Sequence, residues 1–148
     1  TPFVSMQDHY NPLYREDERE LIPICRQMNV ALTSYSPLAA GRCSRPDWSA
    51  DTLRSKTDVV ARGKYDKTEE QDKAVAARIC EIAEKYGASM TQITLAWHFK
   101  KGIATPIIGA TKEKYLLDAA GAFDVPLTEE DVAYIDELYA PHAIVGAL

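Results

Sequence analysis

The sequence predicts an α/β fold on a parallel sheet, and three observations predict it. Residues 3–7 and 30–35 are short strand-like runs flanking an amphipathic helical pattern, the strand–helix–strand order of a βαβ unit. The β-branched run ending at Tyr35 then turns sharply through Ser36 and Pro37 into Ala39, Ala40 and Gly41, which sets one aromatic face beside bare backbone. The segment TPIIGATK at 105–112 repeats that design, with a strand, a glycine and a threonine poised to start a helix. The two corners together suit a nucleotide cofactor.

Each element follows in order. A strand over 3–7 starts after Pro2, and 8–14 is a polar connection. A helix is predicted over 17–28 from Leu21, Ile22, Ile24, Cys25 and Met28, with acidic residues in its first turn where the helix dipole favours them. After the strand at 30–35, residues 37–67 show no sustained period, and a loop of that length is usually functional or mobile. A helix over 69–86 lines up Ala74, Val75, Ala77, Ile79, Ile82 and Ala83 on one side and ends before Gly87. Ser89 and Gln92 have the spacing of a capping box, opening a helix through Ile93, Leu95, Ala96, Trp97 and Phe99, with Trp97 as a core anchor. A third strand over 105–109 leads to a helix over 112–122 capped by Thr111. A last helix over 128–139 opens on Thr128 and three acidic residues. The count is three strands and about five helices.

Composition narrows the function. A net charge of -5 argues against a nucleic-acid partner, which needs a clustered basic surface. No apolar run approaches the roughly 20 residues that cross a bilayer, and the first residues lack the pattern of a signal peptide. Cys25, Cys43 and Cys80 contain no CxxC pair, so a reduced, cytoplasmic setting is expected, with Cys25 and Cys80 as small core residues. His9, His98 and His142 are too scattered to suggest a metal site, and none is proposed.

QDHYN at 7–11, SYSPLAAGR at 34–42, PIIGATK at 106–112 and YAPH at 139–142 resemble the C-terminal part of an aldo-keto reductase. The resemblance runs from residue 3 to about 142 and implies the last three βα units of a (β/α)₈ TIM barrel. A whole barrel takes about 250 residues against the 148 here, so the fold class is a partial TIM barrel with three parallel strands. Such an open sheet leaves edges that invite self-association. The family's catalytic tyrosine, lysine, aspartate and histidine belong to earlier strands, and their motifs do not occur here. Tyr10, Tyr35 and Tyr115 have no local lysine arrangement that would make one a substitute acid. The chain is therefore expected to have no catalytic residues and to be inactive alone.

What the resemblance carries over is cofactor binding, with NADP(H) as the cofactor. Gln7 matches the glutamine that hydrogen-bonds the nicotinamide carboxamide, and Tyr35 the aromatic on which the nicotinamide stacks. Ser36, Leu38 and Gly41 match the pyrophosphate loop, to which Arg42 or Arg45 would add charge. Thr111 and Lys112 match the site of the adenosine 2'-phosphate, which favours NADP(H) over NAD(H). On the adenine side Asp118 matches an acidic position, whereas Tyr115 and Ala119 depart from the usual glutamine or arginine and asparagine.

The function so implied is the cofactor-binding portion of an NADP(H)-dependent reductase of small carbonyl compounds, with the segment 37–67 over the cofactor side. The alternative is a non-catalytic nucleotide-binding or half-barrel assembly module. The four catalytic residues on upstream sequence would favour the first, and a stable oligomer the second.

Overall fold

Three parallel strands form one sheet in the order β1-β2-β3 in the computed structural model, which describes residues 1–48 and 59–144. β1 is Ser5–His9, β2 is Ala31–Tyr35 and β3 is Thr105–Ile107. The register runs from Ser5 beside Ala31 to His9 beside Tyr35, and β3 joins only the end of β2, with Ile107 beside Tyr35. Because side chains alternate along a strand, Met6, Leu32 and Ser34 turn inward to the helices. Gln7, Thr33, Tyr35, Thr105 and Ile107 share the opposite, open face.

Six α-helices are described: α1 Leu21–Gln27, α2 Val59–Tyr65, α3 Glu69–Tyr86, α4 Met90–Lys100, α5 Glu113–Ala120 and α6 Glu129–Asp136. α4 is the centre of the core. It buries Met90, Ile93, Thr94, Leu95, Ala96, Trp97 and His98, and a helix surrounded on all sides has no need of a polar face. α3 packs Val75, Ile79 and Ile82 into the same core, and Leu13, Ile22, Cys25, Leu32, Leu127 and Ile135 complete it. Trp97 is fully buried as its anchor, and its indole N–H donates to Asp136 at 2.8 Å. A smaller cluster of Leu95, Ala119 and Ala122 joins α4 to α5.

The helix ends follow their capping chemistry. Ser89 and Gln92 form the predicted reciprocal box, and Gly87 closes α3 in the left-handed conformation at φ 62°. Thr128 opens α6 through a second box with Asp131. No helix among the described residues is long and apolar enough to cross a membrane.

Five expectations need correction. β1 lies two residues later than 3–7, because pairing with β2 fixes its limits and leaves Phe3 and Val4 exposed. The helix expected over 17–28 splits into a 3₁₀ turn, Glu16–Arg19, and α1. Pro23 explains the break: it has no N–H and its ring would strike the carbonyl of Arg19, so the helix restarts with the proline in its first turn. The irregular stretch 37–67 contains α2 and a 3₁₀ turn, Asp66–Thr68, while 49–58 lie outside the described residues. β3 stops at Ile107 instead of 109, since only its first three residues find partners on β2. Thr111 does not cap α5; the capping position is Lys112, whose side chain makes no capping bond.

Candidate functional site

The parallel register brings His9, Tyr35 and Ile107 level at the carboxyl edge of the sheet. The loops after all three strands leave from that edge, where ligand sites of parallel α/β folds are built. Gln7 lies one step back on the same face, on the strand beside Tyr35, and its side chain is exposed. An amide and a half-buried aromatic ring thus share this face of the sheet.

Tyr35 is flanked by His9 and Lys64. Its ring stacks on His9 with centroids 5.1 Å apart and planes 15° apart, and Lys64 Nζ lies 4.8 Å from its centroid. Burial, and then the negative charge of Asp8, push the Tyr35 hydroxyl above its ordinary range. The ring is therefore a neutral stacking surface at physiological pH.

The loop after Tyr35 concentrates the backbone strain of the chain. Ser36, Ala39 and Ala40 adopt φ of 53°, 48° and 55°, and Gly41 adopts 95°. Left-handed backbone at a non-glycine residue costs about 1–2 kcal/mol, and such residues cluster where a loop must present its amides. Several contacts hold the conformation. Asn11 Nδ2 donates to the Ser36 carbonyl at 3.0 Å, the Gly41 amide to the Leu38 carbonyl at 2.8 Å, and Thr94 Oγ1 to the Cys43 carbonyl at 2.8 Å. Leu38 seats the loop against the Leu95 cluster. A Cβ on Gly41 would meet Ser44 and Arg45 only at ordinary contact distance, so its φ, not crowding, calls for glycine. Arg45 Nε lies next to this turn, buried and without a hydrogen-bond partner among the described residues. An orphaned guanidinium donor beside this turn of left-handed backbone fits an anionic group such as a pyrophosphate.

The third corner is less unified. Thr111 and Lys112 are both exposed where the chain enters α5, with Lys112 in extended conformation at the helix start. Tyr115 is half-exposed on its own helix, with Lys114 Nζ 5.1 Å from its ring centroid. Asp118 Oδ2 accepts from Ser89 Oγ at 3.0 Å, which ties it to the cap of α4, and Ala119 is buried. The structure thus gathers Gln7 with Tyr35, and Ser36, Leu38, Gly41 and Arg45 in one loop. It keeps Thr111 and Lys112 together and gives Asp118 a separate partner.

Sequence reading passed over His9, Asn11, Lys64 and Tyr65, all of which bear on Tyr35. The QDHYN motif contains two of them and was the available signal; the other two stand in the irregular stretch. A cleft of about 520 Å³ also opens beside Tyr35, lined by Asp8, His9, Tyr14, Glu16, Asp17 and Leu21 among others. Burial, and then the charge of Asp8, push the Asp17 carboxyl up to about 7. Among the described residues no group of three or more His, Cys, Asp or Glu is arranged to hold a metal ion.

Comparison with known proteins shows the family. The model of the aldo/keto reductase family matches residues 1–140. A Schizosaccharomyces pombe protein provisionally named as an aryl-alcohol dehydrogenase is 42% identical over 147 residues, covering 99% of this chain and 41% of that protein. Versiconal hemiacetal acetate reductase of Aspergillus parasiticus is 38% identical over 146 residues, covering 96% of this chain and 42% of its own length. The solved structure of the thermostable aldo-keto reductase Tm1743 with the inhibitor epalrestat superposes with a TM-score of 0.67 at 28% identity, over 93% of this chain and 40% of that one. The chain thus spans about two fifths of the length of these relatives, and its three parallel strands are part of their barrel. With the family model matching nearly end to end, the chain belongs to the aldo/keto reductase family.

Proposed function

We propose that this chain is the cofactor-binding portion of an NADP(H)-dependent carbonyl reductase. The observation that carries the reading is the carboxyl edge of the sheet. There Tyr35 and Gln7 share an open face, and the next six residues form a strained turn with an orphaned Arg45 donor beside it. Gln7 would hold the carboxamide through an amide that donates and accepts, Tyr35 would present its ring to one face of the nicotinamide, and Ser36, Leu38, Gly41 and Arg45 would take the pyrophosphate. Lys112 and Thr111 would meet the 2'-phosphate as a charge and a hydroxyl at a helix start. Tyr115 would meet adenine with its exposed face, while Asp118, bound to Ser89, would act only through the position of α5.

A bound dihydronicotinamide supplies the hydride, and this chain's part is to bind and orient it. The names of the relatives support a small carbonyl or aryl-alcohol couple as the substrate of the complete enzyme. The motifs of the family's four catalytic residues do not occur in this sequence, so the chain alone is expected to bind cofactor and not to turn over. Titration with NADPH, with NADH as control, tests this by nicotinamide fluorescence. Saturable binding, weaker for NADH and about tenfold weaker in Lys112→Ala, is expected from loss of one charge-assisted contact. A folded chain that binds NADPH and NADH equally would remove the 2'-phosphate assignment.

The open sheet favours a second property. Ile107, Leu116, Leu117 and Phe123 are exposed, as are Phe3 and Val4 just before β1. We propose that the chain alone self-associates through these edges.

A further inference from the structure

His9 is the least expected residue of the site. It is 2% exposed, it ends β1 beside Tyr35, and its imidazole is sandwiched between two tyrosines. Tyr14 lies 4.3 Å away on one side and Tyr35 5.1 Å away on the other, both within 15° of parallel. Nothing in the cofactor-binding reading requires a histidine there.

The hydrogen bonds around it favour one neutral tautomer. Asn11 Oδ1 accepts the Leu13 amide at 2.9 Å, which fixes the orientation of the Asn11 side chain and makes Nδ2 the donor. Nδ2 has two protons and two good acceptors, the Ser36 carbonyl at 3.0 Å and Tyr65 Oη at 3.0 Å. With Asn11 donating to it, Tyr65 Oη has its own proton free for His9 Nε2, 2.8 Å away. His9 Nε2 is then an acceptor, and the ring proton sits on Nδ1, which is buried with no partner among the described residues. Burial, followed by the charges of Lys64 and His142, pulls the imidazole down to about 3, so the ring stays neutral.

One amide therefore controls Tyr35 twice. Asn11 holds the carbonyl of Ser36, the strained residue directly after Tyr35, and through Tyr65 it fixes the ring stacked behind Tyr35. We propose that His9 is a positioning residue for the cofactor-facing ring of Tyr35, locked as its Nδ1–H tautomer by the relay from Asn11 through Tyr65. The proposal rests on the cofactor-binding reading above. Its consequence is that Tyr65, at the end of α2, reports the placement of that segment to the stacking face.

Two measurements test it on the whole chain. The first, independent of cofactor, is the long-range ¹⁵N–¹H spectrum of the histidines. His9 should show the neutral Nδ1–H pattern unchanged from about pH 5 to 8, and Tyr65→Phe, which removes only the hydroxyl, should convert it to mixed tautomers. The second is NADPH affinity: His9→Ala should weaken it about tenfold, and His9→Phe, which restores a flat ring between the tyrosines, should return it to within about threefold. An Nε2–H tautomer in the wild type, or unchanged NADPH affinity in folded His9→Ala, overturns the proposal. If the wild type binds no NADPH, the cofactor reading fails instead. The Tyr35 ring resonances then decide for His9: a ring-current shift lost in His9→Ala supports its role, and resonances unchanged in that variant overturn it.

Discussion

His142 Nε2 lies 2.8 Å from Asp72 Oδ1, 70 positions earlier in the sequence, and both side chains are almost fully buried. The pair pins the C-terminal segment to α3, and it is reinforced at both ends. The His142 ring stacks on Tyr139 at 5.7 Å, the His142 amide donates to Glu16 at 2.8 Å, and Thr68 Oγ1 donates to Asp72 at 2.8 Å.

This pair gives a pH dependence of definite sign. Burial alone would lower the imidazole, but the hydrogen bond and charge of Asp72 outweigh it and raise His142 above its ordinary 6.5. A raised base adds stability that is complete below 6.5 and is lost as pH climbs through the folded value. In urea unfolding the stability from this pair should be greater at pH 6 than at pH 8, against the opposite pull of His9 and His98, which are held below 6.5. Asp72→Asn should lower stability by about 1–3 kcal/mol at pH 6, the cost of a broken buried hydrogen bond, and flatten that slope. A slope unchanged in the variant would assign it to other groups.

Asp17 acts in the same direction by a different route. Its carboxyl is pushed up to about 7 by burial and then by Asp8, so the folded chain holds that proton more tightly than the unfolded chain. Stability from this group falls as pH rises from 3.8 to about 7. Asp17→Asn, neutral at every pH, should raise the melting temperature at pH 8 and leave it nearly unchanged at pH 4. Equal effects at the two pH values would rule out a proton held on Asp17.

Trp97 tests the core. It is fully buried in α4, bonds Asp136, and carries Arg15 and Lys101 over its ring at 5.7 and 5.5 Å. Trp97→Ala should cost about 3–5 kcal/mol in urea unfolding, and Trp97→Phe less, because only the indole N–H bond and part of the volume are lost. A loss below about 1 kcal/mol for Trp97→Ala would mean that α4 is not the centre of the fold.

Ser89 tests the cap that also holds Asp118. Ser89→Ala removes the acceptor for the Gln92 amide and the donor to Asp118, and should cost about 1–2 kcal/mol by thermal unfolding. Asp118→Ala in the same background should then add little, since the two side chains share one bond.

Much of the fold was legible because its signals are local. The capping box at Ser89, the left-handed Gly87 and the apolar side of α3 are written within a few residues of where they act. So is the turn after Tyr35, whose small residues announced unusual backbone. Strand limits were misplaced because they depend on the partner strand: β1 ends at His9 since Tyr35 stands opposite, which no property of residues 3–9 reveals. Thr111 failed as a cap because Lys112 takes that position, and Asp118 found a partner 29 residues away. His9, Asn11 and Tyr65 were missed together for one reason. Their relay joins positions 54 and 56 residues apart, one of them in a stretch without periodicity.

Titrating the ¹⁵N-labelled chain with NADPH and following amide shifts decides whether the carboxyl edge of this three-stranded sheet is a dinucleotide site. A dinucleotide site there gives saturable shifts concentrated at Gln7, at Tyr35 through Gly41, at Arg45, and at Thr111 and Lys112, with those at Thr111 and Lys112 reduced for NADH. A folded chain showing no shifts, or shifts confined to the apolar cleft of Leu95, Phe99, Leu116 and Phe123, would contradict it.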